Sequence, residues 1–269
     1  MLVPYLSYSS KGYRKNPDEY LISLHKLSAY LCKKQYGEVH LITDSNSKQY
    51  FKNVKFDSII VLNELDNIPD EFGPTWSLSK LYCFNYLAKN KIPFVHVDYD
   101  VFLWKPLPSF IEEADVFVQN KENSVTEYYE VNAMLNYCKY TNFSRASVPD
   151  FAYNMGIFGG QDFKFIEDYT KSSIDFVLNP KNKIFWTSDF NQLGIKYLWT
   201  RAVLAEQWYL ACFANNSNKK ITCLFDRVSE SNCPSEEDAK KVGYTHLWGA
   251  KNNSDIVNRV YKRIKEFNL

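Results

Sequence analysis

An α/β fold, built on a mixed and mostly parallel sheet flanked by helices, is predicted by three observations. Strand-like and helix-like apolar patterns alternate through the first hundred residues. No Pro/Gly/Ser-rich linker, internal repeat or low-complexity run divides the 269-residue chain. Two aspartates close a buried-looking apolar run in "PFVHVDYDVFLWKPLP", where an open α/β sheet places its ligands.

The elements follow in order. "LVPYLSY" reads as a first strand, ending at Ser9, Ser10 and Gly12. "NPDEYLISLHKLSAYLCKKQYG" reads as a helix with Pro17 in its first turn and Gly37 at its C-cap. Leu21, Leu24, Leu27 (or Ser28) and Leu31 make its apolar face. "EVHLITD" is a second strand closed by Asp44, and "DSIIVL" a third. "TWSLSKLYCFNYLAKN" is a helix with Thr75 or Ser77 as its cap, and the strand "IPFVHV" follows directly. In the second half, "DVFVQN", "YNMGIFGG" and "KKITCLF" read as strands. "FKFIEDYTKSSIDFVL", "TRAVLAEQWYLACFAN" and residues 254–268 read as helices. One domain over 1–269 is the simplest organisation.

Composition bounds the function. Thirty-two basic residues against 31 acidic ones give a net charge of +1, which argues against a general nucleic-acid binder. A hydrophobic content of 45% is ample for a sizeable core. Cys32, Cys83, Cys138, Cys212, Cys223 and Cys233 form no CxxC pair and read as reduced, buried thiols. "MLVPYLSYSSKGYRK" lacks a charged leader followed by a long apolar core, and no window is long and apolar enough to span a membrane. A cytoplasmic location is therefore expected, with room for peripheral membrane association.

Asp98 and Asp100 flank one residue at the strand's carboxyl end. Two oxygen donors there suit a hard cation such as Mn²⁺ or Mg²⁺, whose open positions phosphate oxygens can fill. Without a cation the pair would be costly, because like charges a few ångströms apart resist joint ionisation. A DxD alone also occurs as an ordinary surface turn.

Residues 76–107, "WSLSKLYCFNYLAKNKIPFVHVDYDVFLWKPL", resemble the donor-binding core of glycosyltransferases of the GT-A fold. The pattern is similar to that of the DxD transferases related to capsule and outer-chain mannosyltransferases and to glucosylating toxins. Ser77, Lys80, Asp98, Asp100, Pro106 and Leu107 carry the match. The Gly-Gly-Ile-Tyr that usually precedes the DxD is replaced by "KNKIPFVHV", and Lys80 stands where Arg is commoner. Three later blocks resemble the same class in the same order. They are "YNMGIFGG" with Asn154 and Gly156, "AEQWYLACF" with Glu206 and Gln207, and "THLWGAKN" with His246, Gly249 and Lys251.

The resemblance implies a GT-A-like, Rossmann-like fold, with residues 1–110 as the nucleotide-sugar-binding half. Residues 111–269 would form the acceptor half and a metal-completing C-terminal loop. It implies a metal-dependent hexosyltransferase of glycan or polysaccharide biosynthesis, retaining in outcome. The donor would be a nucleoside-diphosphate sugar, a UDP-sugar favoured, and the acceptor a glycan, lipid-linked or protein hydroxyl. Asp98, Asp100 and His246 would hold Mn²⁺ or Mg²⁺, with Lys251 as a point charge on the diphosphate. Glu206, Gln207 and Asn154 are the candidate catalytic residues. Tyr8, Ser9, Asp44, Trp76, Lys80, Tyr99, Gly156, Gly249 and Lys251 are the candidate substrate-binding residues, Tyr99 facing away from the cation. Several keep a structural alternative. Asp44 also suits a turn, Trp76 packing under the sheet, Gly156 a turn, and Glu206 a pairing with Arg201 or Lys196.

Two other classes compete. A haloacid-dehalogenase-type phosphatase also uses DxD after a strand, but wants Thr or Val where Phe102 stands and a motif near the N-terminus. A non-catalytic sugar-nucleotide-binding module would keep Lys80 and the strands without needing both aspartates and His246.

Overall fold

The computed structural model describes residues 2–12, 16–145, 148–226 and 241–269. Its main sheet has seven strands, in the order β3 (Ser58–Val61), β2 (His40–Thr43), β1 (Val3–Tyr8), β4 (Phe94–Val97), β7 (Phe151–Gly160), β6 (Val116–Asn123) and β8 (Thr222–Cys223). The first four run parallel, as the strand–helix alternation of the N-terminal half requires. β7 pairs antiparallel with both β4 and β6, and β8 returns parallel to β6. The sheet is thus mixed and mostly parallel. A separate ribbon pairs β5 (Val101–Leu103) with β9 (Tyr244–His246).

The parallel strands alternate between two covered faces. Tyr5 and Phe94 join a core with α2 (Ser77–Lys89) and α3 (Phe163–Leu178), while Leu6, Val95 and Val97 join one with α1 (Glu19–Tyr36). Leu21, Leu24, Leu27 and Leu31 are all buried, as their spacing predicts. Gly37 closes α1 in the left-handed conformation at φ 85°.

Several local expectations are corrected. Pro17 lies outside α1, because Asp18 takes the cap and its carboxylate accepts from the Leu21 N–H at 2.7 Å. Neither Thr75 nor Ser77 caps α2. Trp76 precedes it without a side-chain cap, and the Ser77 hydroxyl donates instead to the Ala202 carbonyl at 2.7 Å. Of "KKITCLF", only Thr222–Cys223 is strand. Cys32, Cys83, Cys138, Cys212 and Cys223 are free thiols; Cys233 lies outside the described residues. No described helix is long and apolar enough to cross a membrane.

"TRAVLAEQWYLACFAN" is helical but not uniformly so. α4 (Thr200–Val203) widens into a π-helical turn over Leu204–Trp208 before α5 (Tyr209–Asn216) resumes. A wider turn leaves carbonyls poorly served by their own helix. Side chains from α3 serve them here, the Tyr169 hydroxyl donating to the Glu206 carbonyl and the Ser173 hydroxyl to that of Ala205. The last helix described is α6 (Ser254–Glu266).

Candidate metal centre and active site

β4 ends at Val97, and the chain turns at once. The Asp98 N–H donates to the Gly156 carbonyl of β7 at 2.9 Å, and the Val101 N–H to the Asp98 carbonyl at 2.9 Å. This tight turn puts both carboxylates at the carboxyl end of the strand. β5 then pairs with β9 in the register Val101↔His246, which carries His246 across 145 residues of sequence to the two acids. One ligand atom each from Asp98, Asp100 and His246 lies within 4.8 Å of the others.

The imidazole is prepared as a ligand. Gln119 Oε1 accepts from His246 Nδ1–H at 2.7 Å and from the Tyr244 hydroxyl at 2.6 Å, while its amide nitrogen donates to Asn120 Oδ1. With Nδ1 as the donor, Nε2 keeps its lone pair and faces Asp100 Oδ1 at 3.7 Å. Two lone pairs facing each other at that distance make no hydrogen bond, and a cation between them would satisfy both. Burial lowers the His246 pKa, against the pull of Asp100 and Asp98, so the ring is neutral at pH 7. These residues fit a hard divalent cation.

Gln119 was not singled out in the sequence, although a polar residue ending the apolar run "DVFV" was a signal. It sits where the β6–β7 register slips, between Val118 and Asn120. Such a bulge re-aims a side chain. Gly156 completes the arrangement: a Cβ on it would stand 2.5 Å from Gln119 Oε1 and 2.8 Å from the His246 ring.

Two lysines and a third carboxylate surround the acids. Lys251 Nζ donates to Asp100 Oδ2 at 2.6 Å, and Gly249, at φ 68°, turns the loop that brings it there. Burial opposes ionisation of Asp100, but Lys251 and His246 outweigh it and hold the carboxyl at about 2. Lys80, one turn into α2, lies 2.9 Å from Asp98 Oδ1 and 2.6 Å from Glu206 Oε1, the latter an ion pair off the hydrogen-bond axis. Burial works against the charge on Lys80, yet Asp98 and Glu206 raise its pKa. Burial and the charge of Asp98 push Glu206 up to about 7 despite Lys80. Burial likewise raises Asp98, countered by Lys80 and reinforced by Asp100. When ionised, three carboxylates face two ammonium groups, an excess of one negative charge that a dication would reverse.

The partner of Glu206 is therefore Lys80. Arg201 instead lies over the Phe190 ring and donates to the Ser188 carbonyl, and Lys196 lies over Tyr197. His96, also not singled out, is fully buried below the acids, with Nδ1 3.7 Å from Asp98 Oδ1 and Nε2 2.8 Å from the Ser7 hydroxyl.

The other predicted residues fall into two groups. Asn154 and Gln207 join a buried polar network beside Glu206. Asn154 donates to Glu122 Oε1 at 3.0 Å and accepts from the Gly156 N–H at 3.0 Å. The Tyr129 hydroxyl contacts Glu122 Oε2 at 2.5 Å and Gln207 Oε1 at 3.0 Å. At the ends of β1 and β2, Asp44 accepts from the backbone and hydroxyl groups of both Ser10 and Ser47. Ser9 accepts from the Lys11 N–H, and Tyr8 packs on His25 and Phe51. Trp76, just before α2, lies against Gly12 of the loop after β1. The Tyr99 ring stacks on His25 at 5.0 Å, and its hydroxyl is 3.3 Å from Lys251 Nζ.

Over residues 7–267 the chain matches DUF6734, a family of unknown function. It belongs to that family. No curated protein sequence matches it. Among solved structures, this DUF6734 chain is similar to apo mouse xyloside xylosyltransferase 1, at 9% identity and a TM-score of 0.47, over 82% of this chain and 84% of that one. It is also similar to a glycosyltransferase involved in the glycosylation of the major capsid of PBCV-1. That likeness has 11% identity and a TM-score of 0.43, over 97% of this chain and 100% of the other.

Proposed function

We propose that this protein is a metal-dependent glycosyltransferase that moves a hexose from a nucleoside-diphosphate sugar, a UDP-sugar favoured, to an acceptor hydroxyl. The observation that carries the reading is the convergence of Asp98, Asp100 and His246 with Lys80, Lys251 and Glu206 at the carboxyl end of β4. The motif order of the sequence supports it.

Asp98, Asp100 and His246 would hold Mn²⁺ or Mg²⁺, which when bound neutralises charge on a departing diphosphate. Lys251 adds a compact positive charge beside the same diphosphate and keeps Asp100 ionised. Lys80 ties Asp98 to Glu206, so that metal side and sugar side share one cation. Glu206, half-ionised near pH 7, stands beside the electron-poor anomeric carbon and stabilises it as the diphosphate leaves, which accords with retention. Asn154 and Gln207 line the sugar side, and Gly156, a candidate for the sugar contact in the sequence, instead leaves room for the Gln119–His246 pair. Tyr8, Ser9, Asp44 and Trp76, on the loops after β1 and β2 and before α2, border the nucleoside. Residues 1–110 then serve the donor and 111–269 the acceptor.

A thermal-shift and calorimetric screen of UDP-, GDP- and CDP-sugars, with and without Mn²⁺, tests the reading. One nucleotide class binding more tightly with Mn²⁺ than without, followed by sugar turnover, supports it. Metal-independent binding throughout would remove its mechanism.

A further inference from the structure

A second concave site lies on the α1 and α6 side of the molecule. It is an open pocket of about 380 Å³, and none of its lining residues belongs to the Asp98–Asp100–His246 cluster. That volume falls in the range of small-molecule sites. Lys26, Tyr30, Lys33 and Lys34 approach it from α1, Lys55 from the loop before β3, and Phe267 from the residue following α6.

The charges are unbalanced. Lys33 pairs with Asp57 at 2.6 Å, and the carboxylate of Leu269, which also lines the pocket, adds one more negative charge, but no ion pair joins Lys26, Lys34 or Lys55 to an acid among the described residues. Lys33 and Lys34 also suit the C-terminal turn of α1, where its dipole favours cations. Lys26 and Lys55 have no such reason to be there: Lys26 is mid-helix and Lys55 is on a separate loop. Gathering like charges around one cavity in a chain of net charge +1 costs repulsion that an anion would relieve. The floor is of another kind. Tyr30 and Phe267 stack at 4.8 Å and 28°, and Phe267 packs with the apolar residues between α1 and α6. Lysines on flexible stems around an aromatic floor match a ligand with a charged head and an apolar body.

We infer that this pocket binds a phosphate ester of an apolar group, the lysines taking the phosphate and Tyr30 and Phe267 the apolar part. The inference stands apart from sugar transfer and needs no metal. The ester comes either from a soluble metabolite or from a phospholipid headgroup region, and the chemistry is shared.

Calorimetry on the full chain in metal-free buffer tests it, with hexyl phosphate, inorganic phosphate and hexanol as probes. Hexyl phosphate should bind at one site, weaken with added salt, and exceed inorganic phosphate and hexanol by about tenfold or more. The variants K26E and K55E, both at solvent-facing positions, should lose about tenfold or more of that binding while their thermal midpoints stay unchanged. Flotation with phosphatidylcholine vesicles, with and without phosphatidic acid, separates the sources. Hexyl phosphate binding without flotation assigns the soluble ester, and both together assign the lipid. Flotation without hexyl phosphate binding would show adsorption to a charged surface and overturn the pocket. Equal binding of inorganic phosphate, or full binding by K26E and K55E, would overturn it as well.

Discussion

Asp44 and the Asp98–Asp100 pair occupy equivalent places, at the carboxyl ends of β2 and β4, the two parallel strands on either side of β1, yet their surroundings differ in kind. Asp44 receives four hydrogen bonds from Ser10 and Ser47, all from residues in adjoining turns. Its lone pairs are filled by neutral donors, and its work is to join the two loops. Asp98 and Asp100 receive ammonium groups from α2 and from the C-terminal loop, and Asp100 faces an imidazole lone pair. Sheet topology offers the same position to both. Filled acceptors make a turn anchor, whereas competing carboxylates and an aimed lone pair make a centre that can take a cation.

Removing one cation from the charged centre should have the largest effect. Lys80→Met leaves Asp98 and Glu206 buried against each other, and should destabilise the protein by about 3–5 kcal/mol in urea unfolding. Lys80→Arg should restore most of the loss. Near-native stability of Lys80→Met would mean that Glu206 simply takes up a proton. Asp44→Ala is the matching change in the turn anchor. Stranding the Ser10 and Ser47 donors should cost about 2 kcal/mol, while Mn²⁺ binding at the other site survives. Loss of Mn²⁺ binding in Asp44→Ala would erase the distinction between the two regions.

Gln119→Met tests the aimed lone pair. With no acceptor for Nδ1–H the imidazole loses its fixed tautomer, and Mn²⁺ affinity should fall about 10- to 100-fold. Gln119→Glu, which still accepts from Nδ1, should retain most of it.

A smaller effect comes from His25, whose Nδ1–H donates to the Leu21 carbonyl under the Tyr99 ring. Burial lowers its pKa to about 4. Between that value and the usual 6.5 the unfolded chain binds the proton and the fold does not. Its contribution is therefore complete above pH 6.5 and falls away as the pH drops toward 4, reaching a loss of about 1.4 kcal/mol by pH 5.5. Denaturant curves of His25→Phe and the natural protein should converge in that direction. A natural protein as stable at pH 5 as at pH 7 would place a charged imidazole in the core.

Much of this comparison was legible in the sequence. The carboxylates after "FVHV", the histidine and lysine of "THLWGAK", and the glutamate of "AEQW" are polar groups in apolar runs, and such groups announce themselves. The first four strands were legible because their apolar runs are continuous, although only β1, β2 and β4 are largely buried and the edge strand β3 is half-exposed. The pairing of Lys80 with Glu206 was not, since 126 residues separate them and only the packing of α2 on the π turn brings them together. The role of Gln119 depends on a bulge, a slip of register that leaves no pattern in composition. Ser77 looked like a cap because its local signal is that of a cap, but the Ala202 carbonyl, in the helical turn just before the π segment, claims its hydroxyl.

The proposed chemistry requires that Asp98, Asp100 and His246 bind a divalent cation. Electron paramagnetic resonance of free Mn²⁺, titrated with the protein, counts bound ions directly. One ion per chain is expected, lost in Asp100→Asn and in His246→Phe and retained in Asp44→Ala. Undiminished Mn²⁺ uptake by Asp100→Asn and His246→Phe would contradict it.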